Sequence, residues 1–308
     1  MGNGRWDPAA YTAYTKTTVN ATTAQVFAQS GMHASLDPRG VNMRESRDSA
    51  DNPQSTPIIV NLDVTGSMGM IADAIAREGL GTLFQEILDR KPVRDPHIMF
   101  MANGDVKSDR APLQVSQFEA DPRIIEQLTN IYLEGNGGGN DTESYNLPWY
   151  FAAYHTVSDS FQKREKKGYL FTIGDEDAPD DLTIDEIEKV MGYRPEVALT
   201  NKELLELVQR QYHVFHLMVE QGSHLRGGYN TDRVRRGWQD LLGERVILLK
   251  DYKKLSEVVV SLIEVTEGRD AKDVIASWDG TTAVTVAAAI SNLPVARPGD
   301  PGAVIRLK

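Results

Sequence analysis

No cysteine occurs anywhere in the 308 residues. Disulfides, thiolate nucleophiles and cysteine-based zinc sites are therefore excluded. Long apolar runs are missing too, and nothing approaches the roughly 20 residues that a membrane-spanning helix needs. The first residues, MGNGRWDPAAYTAYT, lack the charged stretch followed by an apolar one that marks a secretory leader. These absences lead to the expectation of a cytoplasmic protein with no membrane partner. Positive charge is also scarce: 33 Lys and Arg against 44 Asp and Glu leave a net charge of −11. Such a chain repels phosphate backbones at long range, so no nucleic-acid partner is expected. The densest basic group, Arg226, Arg233, Arg235 and Arg236, reads as a solvated helix face.

Branched apolar residues are sparse over residues 1–55, which are rich in Thr, Ala, Asn, Ser and Asp. This segment reads as a polar N-terminal arm with one short helix near 22–29, a linker over 41–57, and Trp6, Tyr11 and Tyr14 to dock it. Residues 56–268 read as the main domain. Ile58-Ile59-Val60-Asn61-Leu62 is a short, nearly continuous apolar run, the pattern of a strand buried on both faces of a parallel sheet. Ile71, Ile75, Leu83, Phe84, Ile87 and Leu88 then fall at helical spacings, interrupted by Gly79 and Gly81 and ended by Lys91-Pro92. Further strands are predicted over 97–101, 113–118, 169–173, 214–219 and 246–249. Helices are predicted over 124–133, 143–161, 184–191, 202–211, 232–242 and 255–265. Alternation of this kind implies an α/β fold, a doubly wound and mostly parallel sheet with helices on both faces. From 269 to 308 the chain reads as a C-terminal tail. There 281–290 is helix or strand, and three prolines oppose regular structure beyond it.

Three loops concentrate the chemistry. Asp63-Val64-Thr65-Gly66-Ser67-Met68 follows the first buried strand. The glycine-rich stretch 135–144 carries Thr142, and Gly174-Asp175-Glu176-Asp177 follows the strand over 169–173. A doubly wound sheet binds ligands outside the carboxyl ends of its strands. Asp63, Thr65 and Ser67 are spaced by two, so a tight turn can aim one carboxylate and two hydroxyls at one point. Thr142 adds a hydroxyl and Asp175 a second carboxylate. These are hard oxygen donors, suited to Mg²⁺ or Mn²⁺ rather than Zn²⁺. The stretch 135–139 is not a phosphate loop, because no Gly-Lys-Ser/Thr follows. His213 and His216, in or beside a strand, read as packed and hydrogen-bonded rather than as ligands.

The first loop resembles the Asp-x-Ser/Thr-Gly-Ser-Met start of the metal-ion-dependent adhesion site (MIDAS) of von Willebrand factor type A (vWA) domains. Thr142 is similar to that site's separate threonine and Asp175 to its distal aspartate. The resemblance spans about residues 56–268 and is to intracellular or phage-like members. It implies one Mg²⁺ or Mn²⁺ held by Asp63, Thr65, Ser67, Thr142 and Asp175. The partner implied is a protein that presents an Asp or Glu to the ion, in some members beside a ring-forming AAA+ ATPase. The protein is then an adaptor or assembly factor and not an enzyme. One departure is the third loop, where the family commonly has Thr-Asp-Gly. Glu176 and Asp177 are expected at the rim there, able to mask the ion. Two alternatives stand beside this reading. One is a haloacid-dehalogenase-type phosphotransferase, with Asp63 as nucleophile and Asp175 on Mg²⁺. The other is a scaffold without metal-dependent binding.

Overall fold

The computed structural model describes Gly4, Trp6, Ala13, Tyr14, Lys16, Thr18, residues 20–135 and 142–291, and Leu293. Eight strands are present among them. β1 is Arg44–Ser46, β2 Thr56–Asp63, β3 Pro96–Asn103, β4 Leu113–Val115, β5 Thr156–Ser158, β6 Gly168–Gly174, β7 Tyr212–Val219 and β8 Val246–Leu249. Six form the central sheet in the order β4-β3-β2-β6-β7-β8, and β1 pairs with β5 in a separate ribbon. Every pair in the central sheet is parallel except the short edge strand β4.

The strand sequences explain why the sheet is covered twice. Side chains alternate across a strand. Ile58, Val60 and Leu62 of β2 join Phe100, Phe171, Phe215 and Leu217 in the core under the helices Leu80–Arg90, Leu255–Thr266 and Gly280–Ile290. Ile59, Met99, Leu170, Val214 and Met218 belong to the other core, under Asn146–Tyr154, Asn201–Val208 and Thr231–Leu242. Continuous apolar strands are what a sheet buried on both faces requires.

The strand order places the site. From β2 the chain winds outward through β3 and β4, then returns to lay β6 on the other flank of β2 and winds outward again through β7 and β8. The direction reverses between β2 and β6, and a crevice opens at the carboxyl ends of strands at such a switch point. The register pairs Leu62 with Ile173, so Asp63 and Gly174 end neighbouring strands.

Some local expectations are corrected. The helix predicted over 143–161 is broken: Asn146–Tyr154 stops at His155, β5 intervenes, and a second helix covers Asp159–Arg164. Ser158 caps that second helix by accepting from Phe161 N, and β5 exists because β1 pairs with it. β1 itself lies inside the segment expected as linker. Residues 281–290 are helical, within Gly280–Ile290, whose Val286 and Ile290 enter the first core together with Val274 of a preceding short helix, Ala271–Ala276. The helical period after β2 carries one wider turn, Ile75–Gly79, between Met70–Ala74 and Leu80–Arg90. The Gly79 carbonyl accepts the Ser256 hydroxyl at 2.8 Å. In the arm, Trp6 donates Nε1–H to Pro96 O at 3.0 Å and packs its ring on Phe84. Tyr11 lies outside the described residues.

Candidate metal centre

Asp63 is the last residue of β2 and is fully buried. Its side chain ties the turn that follows: Oδ1 accepts from Thr65 N at 2.9 Å and from Thr65 Oγ1 at 2.6 Å. This Asx-type closure is a local consequence of a carboxylate two residues before an N–H. It folds the loop so that Thr65 Oγ1 and Ser67 Oγ stand 3.3 Å apart. Ser67 Oγ then donates to Asp175 Oδ1 at 2.7 Å. Four of the residues singled out in the sequence, Asp63, Thr65, Ser67 and Asp175, thus form one continuous chain of oxygens at the switch point. Thr142 follows residues 136–141, which lie outside the described residues. Its backbone bridges to Asp177 on the third loop, and it lines a cavity with Asp105 and Glu143.

Tyr145 was not singled out in the sequence. Its hydroxyl donates to Asp63 Oδ2 at 2.6 Å, so both oxygens of Asp63 are engaged. The ring is fully buried on an aromatic floor: it meets His216 and Trp238 edge-on at 5.1 and 5.3 Å, and His216 stacks on Trp238 at 3.5 Å. His216 is held by the Thr172 hydroxyl at 2.9 Å, the packed role expected for it. Gly174 makes room for the phenol, because a Cβ there would lie 2.0 Å from the Tyr145 oxygen. The unusual Gly174-Asp175-Glu176 order therefore has a steric reason. The loop after β7 closes the other side. Ser223 N donates to Ser67 O and His224 N to Asp175 Oδ2, both at 2.9 Å, and a Cβ at Gly222 would lie 2.3 Å from that same Asp175 oxygen. Only the position of this loop, at the carboxyl end of the strand beside β6, hints at its role in the sequence.

The acids of the third loop take other partners. Glu176, expected at a rim, is buried; its side chain meets His224 Nδ1 at 3.1 Å, and its carbonyl accepts from Trp238 Nε1. Asp177 pairs with Arg233 at 2.6 Å. Its contact with His224 and the bond from Trp238 to its carbonyl hold Glu176 on the inner side of the loop.

Electrostatics mark the site. Burial raises the Asp63 carboxyl above the usual carboxylate range, and the neighbouring Asp175 raises it further, against the pull of Thr65 and Tyr145. Asp175 is raised by its own burial, opposed by Ser67 and His224. Glu143 is pushed up to about 10 by burial, then by Asp63, Asp109, Asp105 and Glu176. The Tyr145 phenol is held far above its ordinary value by burial and by Asp63. Two buried carboxylates thus face each other without a Lys or Arg counter-ion among the described residues; the loop's ion pairs go to Glu176 and Asp177.

The oxygen set fits a small hard cation. Mg²⁺ bound at about 2.0–2.1 Å in an octahedron separates adjacent ligand oxygens by about 3 Å. The spacings of 2.6, 3.3 and 2.7 Å along Asp63, Thr65, Ser67 and Asp175 are hydrogen-bond contacts of similar length, so the four oxygens can meet an ion with small shifts. No group of three His, Cys, Asp or Glu among the described residues is arranged for a metal, so any such site relies on hydroxyls.

No known family model matches the sequence, and no curated protein does. Solved structures are similar at low identity. The pilus adhesin SpaC from Lactobacillus rhamnosus GG is 9% identical, with a TM-score of 0.44 over 74% of this chain and 32% of that one. A von Willebrand factor type A protein from Catenulispora acidiphila is 12% identical, with a TM-score of 0.38 over 70% of this chain and 44% of that one. Proximal thread matrix protein 1 of the mussel byssus is 11% identical, with a TM-score of 0.41 over 68% of this chain and 47% of that one. The chain thus spans 32–47% of the length of these structures.

Proposed function

We propose that the protein is a metal-dependent protein-binding module that engages a carboxylate of its partner through Mg²⁺ or Mn²⁺. The observation that carries the reading is the buried Asp63–Asp175 pair, linked through Thr65 and Ser67 and lacking a Lys or Arg counter-ion among the described residues. Asp63, Thr65, Ser67 and Asp175 would hold the ion, with Thr142 from the adjacent loop. The ion would supply a Lewis-acidic position for an incoming carboxylate.

The surroundings suit a protein partner. The two most exposed large apolar side chains among the described residues are Met70 at 87% and Tyr229 at 96%. Met70 opens the helix that follows the first loop and Tyr229 lies on the loop after β7, and the bond from Ser223 N to Ser67 O joins these two loops. Exposed apolar groups beside a polar anchor are the composition of an interaction surface. Asp180, Asp181, Asp185 and Glu188 are exposed nearby, so the partner presents its Asp or Glu among basic or neutral residues. A AAA+ ATPase is the partner class that the sequence resemblance suggests.

The phosphotransferase alternative fits poorly. Both Asp63 oxygens accept short hydrogen bonds, the side chain is fully buried, and a helix begins at Met70 where those enzymes place a flap. The test is calorimetric titration with Mn²⁺ of the wild type and of Asp63→Ala, followed by partner capture in Mg²⁺, in EDTA, and with Thr142→Ala in Mg²⁺. Loss of ion uptake in Asp63→Ala and loss of capture in the other two conditions are expected. Capture that survives both EDTA and the Thr142 change would make the protein a scaffold.

A further inference from the structure

The foot of the sheet carries a groove far from the site at its top. Its volume is about 660 Å³, within the roughly 300–1,000 Å³ that small-molecule sites span. One wall is the loop between the helix Leu80–Arg90 and β3, and the apolar lining is Trp6, Pro53, Leu88, Val93 and Pro96. Pro96 opens β3 and pairs with Thr56, whereas Asn103 ends β3 and pairs with Asp63. Seven steps of about 3.3 Å along β3 put the groove about 23 Å from Asp63.

The wall is pinned in an uncommon backbone. Three non-glycine residues among the described ones have positive φ, and two of them, Lys91 at 49° and Asp95 at 39°, stand in this loop. Such backbone persists where the surroundings over-determine it, and it clusters at ligand sites. Here hydrogen bonds fix it. Lys91 N donates to Ile87 O and Thr56 N to Asp95 O, both at 3.0 Å, and Gln54 N donates to Asp95 Oδ2 at 2.8 Å. Trp6 bounds the groove on the side of the arm, held by its Nε1–H on Pro96 O. The groove is therefore formed before anything enters it.

Its charges are unmatched. Lys91 is exposed, and its ammonium meets no acceptor among the described residues. Arg94 is exposed too, and its partner is the neutral Gln54 Oε1 at 3.2 Å. Asp95 is the one acid in the lining, so the groove sets two cations against one anion, in a chain whose net charge is −11. A surplus of one positive charge beside an apolar floor suits a monoanion with an apolar body. A phosphate monoester, with a charge of about −1.5 to −2 at neutral pH, exceeds that surplus.

We propose that this groove binds a small amphipathic monocarboxylate. Arg94 offers a planar fork that matches a carboxylate, and Lys91 adds a second positive charge. The apolar chain or ring lies along Leu88, Val93 and the Trp6 indole.

The probe is octanoate, with 1-octanol as its neutral counterpart. Calorimetric titration of the full chain, in Mg²⁺ and in EDTA, is joined by tryptophan fluorescence. One octanoate per chain is expected, bound equally in the two buffers. Removing the charge from either side, by 1-octanol or by the double variant Lys91→Glu/Arg94→Glu, should weaken binding by roughly tenfold or more. Octanoate should change the fluorescence of the wild type, and Trp6→Phe should lose that change while still binding in the calorimeter. Four outcomes would each overturn the proposal: no saturable single site, 1-octanol binding as tightly as octanoate, undiminished binding by the double variant, or a fluorescence response that persists in Trp6→Phe. Binding lost in EDTA would move the ligand to the Asp63 centre and overturn it too. If the double variant does not fold, the 1-octanol comparison and the Trp6→Phe fluorescence decide.

Discussion

Asp63 Oδ2 receives the Tyr145 hydroxyl only because Gly174 has no side chain, and Asp175 fits only because Gly222 has none. Gly174→Ala is therefore expected to displace Tyr145, and Gly222→Ala to displace Asp175. Overpacking of this kind costs about 1–3 kcal/mol, and both variants should also take up Mn²⁺ more weakly than the wild type. Thermal unfolding and calorimetry on the two proteins check this; wild-type metal affinity in both would mean that the oxygens are not ligands. Asp63→Ala bears on the same cluster. A cation that binds only the native state adds about 2.7 kcal/mol at about 100 times its Kd, so Mg²⁺ should raise the Tm of the wild type and leave that of Asp63→Ala unmoved. The same variant tests the enzymatic alternative: turnover of p-nitrophenyl phosphate is expected to be absent, and a robust activity lost in Asp63→Ala would restore the phosphotransferase reading. Asp63, Thr65 and Ser67 were legible because a spacing of two within one turn is a local pattern. Tyr145, Gly222 and His224 were not. They reach the site through strand register and helix packing, which no spacing in the sequence encodes.

At the scale of elements, hydrophobic period carried most of the fold. β2, β3, β6 and β7 are apolar on both faces, and their alternation with helices foretold a parallel sheet. What the period could not show is where a helix stops for tertiary reasons. Residues 143–161 keep a helical pattern, yet β5 breaks them because β1 offers a partner and Ser158 offers a cap. The C-terminal helices were obscured by composition. Ala-, Thr- and Val-rich Gly280–Ile290 suits helix or strand by propensity, and contact with Leu255–Thr266 and β8 decides for helix. These helices bury Val274, Val286 and Ile290 in the first core. Removing a buried Val or Ile side chain costs roughly 1.5–3 kcal/mol in lost burial alone. A chain ending at residue 268 is therefore expected to unfold at markedly lower urea than the full chain. Equal midpoints for the two would show that the C-terminal helices contribute nothing to the core.

The whole molecule couples its folding to pH through imidazoles enclosed in the sheet. Burial lowers His97 to about 4 and His216 well below its ordinary 6.5. His97 sits where the arm meets the sheet: Ser46 Oγ lies 3.1 Å from its Nδ1, its Nε2 has no partner, and the charges of Asp95 and Asp48 offset only part of the burial. The folded value lies below the unfolded one, so the native state holds the neutral ring while the unfolded chain takes up a proton. Stability from this ring is complete above the unfolded value of about 6.5 and is lost as pH falls from there towards the folded value. Each such group contributes up to about 1.4 kcal/mol per pH unit inside that window. Buried carboxyls also titrate in this range, so the informative quantity is a difference between proteins that share them. Urea unfolding of the wild type and of His97→Gln at pH 7.5, 6.0 and 5.0 supplies it. The wild type should lose more stability than the variant between pH 6.0 and 5.0, by an amount approaching one proton's worth. Parallel pH profiles would mean that the ring is protonated in the folded protein and that its site is wetter than the burial implies.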